Sequence, residues 1–585
     1  MNGRSAGVRP ASGRLGFGSF ASRAASRGGT GVPDMGCPPT TRNGWDETEE
    51  GMMNLSIRKP ANQPLINYRG NDDEWDAFKD ALKKIPENFD VPMIIGGQEV
   101  RTAEKIESID PSTGKLFCTA QKAGGKEAEM AVEAALEAKK EWAALSPLNR
   151  ILKFRDLEQI LYERRHEICA VTAHECGYNA TEVSGGWAEM MDFIRFNPYY
   201  FYNLLKTEMG DHPTETNMMN LRPLKGFTCA ITPFNFPIAI GYNLPTVMAL
   251  CGNTVVWKGS SDAPMTSWML MKAVEDAGFP PGVINMMTGP GRETMPPVLG
   301  HPEVTALNFT GGYDTARFIA ERLFSREVER PHFPRFVAET GGKDFMVVDR
   351  DADLWDVAAC IISGAFGRSG QKCSANSLVL ADERIWPDLR EALKEQMKSF
   401  KMDNPLKRDA DMGPVINRGA YDSITGFIKR GQEDSNVTTI WGGEFDDSKG
   451  LYIQPTIFEV GVDQHELLSI EIFGPVTAVR PYKSFEDAVR LIRNNTYRLT
   501  GAVWSRDETF LTKAVPVLSE LAGNFYINRK TTAAVVDQQP FGGDGASGTN
   551  YKAGGAWYLL QFLSQGSVTR RHNRIARRPG IWNWM

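Results

Sequence analysis

This 585-residue chain predicts an α/β protein with two doubly wound domains, on three observations. From Gly226 onward, apolar runs at 227–231, 254–257, 283–287 and 304–309 read as strands, with helical patterns at 238–250, 264–277 and 315–324 between them. The alternation resumes with strands at 345–348, 376–380 and 521–527 and helices at 353–368, 385–400, 420–430 and 485–494. Strands separated by helices pair in parallel and bind ligands beyond their carboxyl ends. Ahead of both regions, a period near 3.6 at 126–145 and 148–173 predicts two long amphipathic helices, and another covers 186–204. Ser146-Pro147 separates the first two, because proline is tolerated only in a helix's first turn.

Composition narrows the class. With 42% hydrophobic and 24% charged residues, the chain has the balance of a folded globular protein. A net charge of −6 gives no reason to expect nucleic-acid binding, and no apolar run is long enough to predict a membrane span. The eight cysteines (37, 118, 169, 176, 229, 251, 360 and 373) lack metal-site spacing and read as reduced thiols. None of the seven histidines sits in a metalloenzyme motif, so no metal is expected.

The termini differ from the middle. Residues 1–33 carry five arginines, many Ser, Ala and Gly, and no acid, the composition of a mitochondrial transit peptide; the plainer alternative is a glycine-rich tail. Residues 34–90 are rich in Pro, Asn and Gly and are expected to form an extended arm. The domains are then expected at 91–338 and 339–543, with a hairpin excursion near 205–225 and a C-terminal oligomerisation arm at 544–585. The arm's end is basic and aromatic, yet in an acidic chain a subunit contact is the expected use.

Three segments carry chemistry. Ser369-Gly370-Gln371-Lys372-Cys373-Ser374 places a thiol among small polar residues, unlike Cys251 and Cys360, which sit in apolar helical stretches and read as core. Glu339, after the apolar 336–338 and before Thr340-Gly341-Gly342-Lys343, ends a buried strand, where its pKa is raised and it can act as a general base. The alternative is a salt bridge from Glu339 to Lys343. Asn235, in Ile231-Thr232-Pro233-Phe234-Asn235-Phe236, lies in the loop after a strand. Its amide can donate to a developing oxyanion, helped by the Cys373 N–H, or it can simply cap the next helix. Nucleophile, base and oxyanion donor together equip a site for reaction at a carbonyl carbon.

In this order the three motifs resemble the aldehyde dehydrogenase superfamily, as do Val256-Trp257-Lys258, Asn308-Phe309-Thr310-Gly311-Gly312 and Glu471-Ile472-Phe473-Gly474-Pro475. The likeness runs from about residue 60 to 570. It implies an aldehyde dehydrogenase fold with a Rossmann-like NAD-binding domain lacking a GxGxxG loop, an α/β catalytic domain and an oligomerisation arm. By it, Lys258 and Glu471 bind the two riboses of NAD, Gly311 and Gly312 open a helix near the pyrophosphate, and Thr232, Pro233 and Phe473 add cofactor contacts. Gly370-Gln371-Lys372-Cys373-Ser374-Ala375, Asp192-Phe193-Ile194-Arg195-Phe196-Asn197 and Ala522-Gly523-Asn524-Phe525-Tyr526-Ile527-Asn528 most resemble the Δ1-pyrroline-5-carboxylate dehydrogenase branch, as does Gln538-Gln539-Pro540-Phe541-Gly542-Gly543.

That branch implies oxidation of L-glutamate γ-semialdehyde to L-glutamate through a Cys373 thioacyl intermediate, in a homodimer or larger oligomer in the mitochondrial matrix. It further implies that Lys372, Ser374, Ala533 and Ala534 bind near the substrate carboxylate, Phe236 and Phe541 clamp the stem, and Glu189 meets the amino group. Ala533 departs from the glycine usual at its position, and Thr340 from the usual cysteine. The competing expectations are an aldehyde dehydrogenase for another semialdehyde, such as succinate semialdehyde, and a non-catalytic protein of the same fold. A cysteine hydrolase is rejected, because no histidine lies in a suitable context.

Overall fold

The computed structural model describes residues 57–212 and 214–572. Expectations for residues 1–33, for the start of the 34–90 segment and for the basic and aromatic residues beyond 572 lie outside the described residues.

Two seven-stranded sheets organise the chain. The first runs in the order Arg335–Glu339, Val304–Thr310, Phe227–Ile231, Val255–Lys258, Ile284–Met287, Met93–Ile95 and Gln98–Val100. Its first five members pair in parallel, and the last two form an antiparallel edge hairpin. The second runs Val437–Trp441, Thr456–Val460, Val476–Tyr482, Asn376–Asp382, Asp344–Val348, Thr500–Trp504 and Asn524–Ile527, all parallel except the first. In the second sheet Phe345 and Val347 enter one apolar cluster while Met346 and Val348 enter another. Alternate residues thus face opposite sides, and both faces are covered, as parallel sheets require.

Three expectations are corrected. The segment expected to be wholly extended contains a helix, Asp72–Lys83, whose first turn is acidic and capped by the Asn71 side chain accepting from the Asp73 and Glu74 N–H groups. It buries Phe78 and Ala81. The single helix expected at 148–173 is two, Pro147–Glu163 and Arg165–Cys176, with the break at Arg164 (φ −91°, ψ 14°) and an end at Gly177 (φ 69°). Residues 544–562, expected to begin an arm, instead fold back on the body of the protein: Asp544–Gly545 pairs antiparallel with Tyr497–Arg498, and the residues after it lie against the first sheet and the turn that follows it. There the Thr340 N–H donates to Ser547 O at 2.9 Å, the Thr549 N–H donates to Ala338 O at 2.9 Å, and Asn308 Nδ2 donates to the Tyr558 hydroxyl at 2.8 Å. Only then does Leu563–Arg571 pair antiparallel with Glu215–Pro223 as a two-stranded ribbon.

Candidate active site

The chain crosses from the first sheet to the second between Glu339 and Asp344, and this crossing lies against the nucleophile's segment. A Cβ on Gly342 would fall 2.2 Å from the Cys373 carbonyl oxygen, and one on Gly341 would fall 1.9 Å from Glu471 Oε2. Gly342 is therefore required by close approach to backbone, whereas a side chain at Gly341 would displace the Glu471 carboxylate. The Gly342 N–H donates to Glu471 Oε1 at 2.9 Å. Glu339 ends its strand, and its Oε2 accepts from the Gly543 N–H at 3.0 Å. Burial pushes its carboxyl up to about 8, against the pull of that bond and of Lys552. The alternative salt bridge is not made: the Lys343 ammonium is buried without a hydrogen-bond partner, and burial lowers it to about 8.

Cys373 follows an unusual turn. Helix Leu354–Phe366 gives way to Gly367–Gly370, in which Arg368, Ser369 and Gly370 are all left-handed (φ 53°, 54° and 67°). For the two L-residues this costs about 1–2 kcal/mol each. Ser369 Oγ donates to Gly413 O at 2.8 Å and Pro414 O at 3.0 Å, and Gln371 Oε1 accepts from the Ile416 N–H at 3.0 Å. Gly370 is obligatory, because its Cβ would lie 2.0 Å from Gly474 O.

The resting thiol of Cys373 is held well above its ordinary pKa, first by burial and then by the Asp344, Glu471 and Glu339 carboxylates. Those carboxylates outweigh Lys372, whose own ammonium is lowered to about 8 by burial and by Arg368. An adjacent lysine on its own would favour the thiolate, but the groups around the sulfur oppose it.

Asn235 is buried in the loop after Phe227–Ile231. It does not cap the following helix, Ala239–Leu250, which starts from Ile238 without a side-chain cap. Its carbonyl accepts instead from the Arg368 guanidinium, which also donates to Glu182 O at 3.0 Å and lies 3.8 Å from the Phe236 ring centroid. Arg368 was not singled out by sequence reasoning. Glu189, on helix Ala180–Leu205, is pushed up to about 7 by burial, with Arg368 and Lys372 opposing the rise.

Ser374 is buried, and its carbonyl accepts from Thr531 Oγ1 at 2.9 Å, which brings the loop of Ala533 and Ala534 beside it. Ala533 is not among the left-handed residues, so alanine in place of glycine imposes no backbone strain there. Phe541 is partly buried, and its N–H donates to Ala553 O at 2.8 Å.

Strand order in the first sheet reverses at Phe227–Ile231, with Val255–Lys258 on one side and Val304–Thr310 on the other. A crevice at such a switch point is where doubly wound sheets bind nucleotides. At its rim the Thr232 N–H donates to Lys258 O at 3.2 Å, Trp257 Nε1 donates to Thr232 Oγ1 at 3.0 Å, and Pro233 follows. Gly312 precedes helix Tyr313–Leu323 without a side-chain cap, while the Gly311 N–H is taken by Glu339 O at 3.1 Å. Burial lowers the Lys258 ammonium, and Asp262, which the sequence reading passed over, raises it. Phe473 is left-handed (φ 56°) and meets Phe234 edge-on at 6.0 Å. A desolvated ammonium at the end of one strand flanking this switch point and an uncapped helix start after the other fit a ligand with ribose hydroxyls and phosphates, so the residues present suit a dinucleotide. Among the described residues no helix is long and apolar enough to cross a membrane, and no cluster of acidic, His or Cys side chains has the make-up of a metal site.

Fold and site together define a dehydrogenase of aldehydes: residues 99–568 match the aldehyde dehydrogenase family, and the chain belongs to it. Within the family it is similar to the mitochondrial Delta-1-pyrroline-5-carboxylate dehydrogenase of Emericella nidulans, at 37% identity over 87% of this chain and 91% of that protein. The 1-pyrroline-5-carboxylate dehydrogenase of a Geobacillus species is 38% identical over 84% of this chain and 96% of its own. Among solved structures, the Thermus 1-pyrroline-5-carboxylate dehydrogenase with bound NAD superposes with a TM-score of 0.84 at 31% identity, covering 88% of this chain and all of that one. The NAD-bound Mycobacterium tuberculosis enzyme gives 0.85 at 32% identity, covering 90% of this chain and 98% of that one.

Proposed function

We propose that this chain oxidises L-glutamate γ-semialdehyde, the open form of Δ1-pyrroline-5-carboxylate, to L-glutamate with NAD, in proline breakdown. The observation that carries the reading is its likeness, over more than four-fifths of its length, to 1-pyrroline-5-carboxylate dehydrogenases. The backbone approach of Gly342 to Cys373, which joins base and nucleophile segments, supports the chemistry.

Substrate carboxylate is held by Ser374 and by N–H groups of the Ala533 and Ala534 loop, with Lys372 adding positive charge nearby. Phe236 and Phe541 flank the stem, and Glu189 faces the amino group. The Cys373 sulfur, its proton released to solvent, bonds to the aldehyde carbon. The Asn235 side chain and the Cys373 N–H hold the oxygen that becomes negative. NAD, when bound, would supply the hydride acceptor, and loss of hydride from this carbon leaves Cys373 carrying a thioester. Glu339, its proton released to solvent, then takes one from water, whose oxygen displaces the sulfur and frees glutamate. Lys258 and Glu471 are the ribose-binding groups, Gly312 and the helix it opens serve the phosphates, and Thr232, Pro233, Gly311 and Phe473 line the rest of the cofactor site.

A panel tests the reading: NADH formation from glutamate semialdehyde, succinate semialdehyde and propanal, each with NAD and NADP. Glutamate semialdehyde is expected to give at least about tenfold higher kcat/KM than the others, since its amino and carboxylate groups have charged partners here. Equal or better turnover of succinate semialdehyde would discard the substrate and keep the chemistry.

A pH series gives a second check. With Glu339 raised to about 8, its carboxyl is protonated and inert as a base below that value. Turnover should therefore climb through about pH 8, and Glu339→Gln should abolish that limb. A limb unchanged in the variant would assign it to another group.

The transit-peptide composition of residues 1–33 and the mitochondrial fungal relative support the matrix as location. The exposed ribbon, with Met218 49% and Val568 42% accessible, supports a homodimer or larger oligomer, since an isolated two-stranded sheet is marginally stable in water. Analytical ultracentrifugation showing a monomer at micromolar concentration would remove that part.

A further inference from the structure

We propose that Arg368 is a positioning residue for this reaction, tying the Asn235 loop to the Cys373 turn so that oxyanion donor and nucleophile stay in register. The inference rests on the reading of Asn235 as oxyanion donor. Arg368 stands five residues before Cys373, in the left-handed turn that delivers the thiol. One arm of its guanidinium donates to the Asn235 carbonyl and the other to Glu182 O at 3.0 Å, while its own backbone N–H donates to the Glu182 carboxylate. The guanidinium carbon lies 3.8 Å from the Phe236 ring centroid and 5.1 Å from that of Tyr178. One side chain thus holds the carbonyl of Asn235 and the face of the next residue, and its backbone is fixed to the helix that carries Glu189.

Two further observations point the same way. Arg368 is only 5% exposed, and its fork is spent on two carbonyls rather than paired with a carboxylate. An ammonium on a flexible stem cannot reproduce that two-armed planar geometry. Gly186 interrupts the interior of helix Ala180–Leu205 where a Cβ would approach Arg368 Nη2 to 3.2 Å, so this helix has its side-chain-free position where the guanidinium passes.

The test is a double-mutant cycle on the full-length enzyme with R368M, N235A and the pair, using whichever aldehyde of the panel the parent turns over fastest. R368M should lower kcat by roughly 30- to 100-fold while aldehyde KM and NAD Kd change less than about threefold. Once Asn235 is truncated, losing Arg368 should cost less than about threefold more, because the group it positions is gone. R368K, which keeps the charge, should recover part of the loss, and it carries the same cycle if R368M does not fold. Losses that multiply, or R368M turnover within about twofold of the parent, would overturn the proposal. Because the cycle runs equally on propanal, a failed substrate assignment shows in the panel and leaves the cycle readable.

Discussion

Replacing Cys373 by alanine is expected to lower turnover by about four orders of magnitude or more while NAD binding stays within about twofold. Alanine keeps the backbone that Gly342 packs against and the N–H assigned to the oxyanion, and it removes only the sulfur. Among the described residues no neighbour replaces it. Cys118, Cys169, Cys176, Cys229 and Cys251 are buried elsewhere, and Cys360 is on the preceding helix with its thiol raised by burial. Ser374 is buried, and its hydroxyl is far less nucleophilic than a thiol. Cofactor titration by fluorescence and steady-state rates on the same preparation separate the two effects. Residual dehydrogenase activity above about 1% would remove Cys373 from the nucleophile role.

Glu339→Gln is expected to slow steady turnover by roughly 10²- to 10³-fold while leaving a full burst of one NADH per active site. Glutamine retains an oxygen to accept the Gly543 N–H, so the turn that places residue 339 is kept. It loses the ability to take a proton, which deacylation needs from water. The variant should also melt no lower than the parent, because an amide does not carry the desolvation cost that raises this buried carboxyl to about 8. Stopped-flow absorbance reads the burst directly. A variant with no burst would place the role of Glu339 before hydride loss, at the thiol proton.

Much of the first sheet was legible because its strands are continuous apolar runs closed by turns. The expected 227–231 is the strand observed, and 304–309 extends by one residue to Val304–Thr310. The second sheet was less so. Val476–Tyr482 contains Arg480 and Pro481, Thr500–Trp504 has Gly501 lying against the Phe345 ring, and Val437–Trp441 is a partly exposed antiparallel edge. None of these presents an uninterrupted apolar run, so their strand character comes from neighbours distant in sequence. The 521–527 run begins only at Asn524, just after Gly523, where a Cβ would fall 2.0 Å from Gly542 O.

At the site, the motifs identified Cys373, Glu339 and Asn235 separately, and Glu339 ends a buried strand as expected. What holds them was not legible. Arg368 reads as an ordinary charge at the end of the helix expected at 353–368, and only its left-handed backbone and its bond to Asn235 reveal its place. Lys552, more than 200 residues from Glu339, bears on its charge through the fold alone, with its ammonium donating to Gly542 O at 2.8 Å. Two arginines or lysines of equal solvation in a linear sequence carry no mark of which one a folded chain buries.

The most direct measurement is the intact and peptide mass of Glu339→Gln enzyme quenched within its first turnover of glutamate semialdehyde and NAD. One glutamyl group per chain is expected, carried on the peptide containing Cys373 and absent when NAD is omitted. A saturated NADH burst with no acyl group on that peptide, or with the group on another residue, would contradict it.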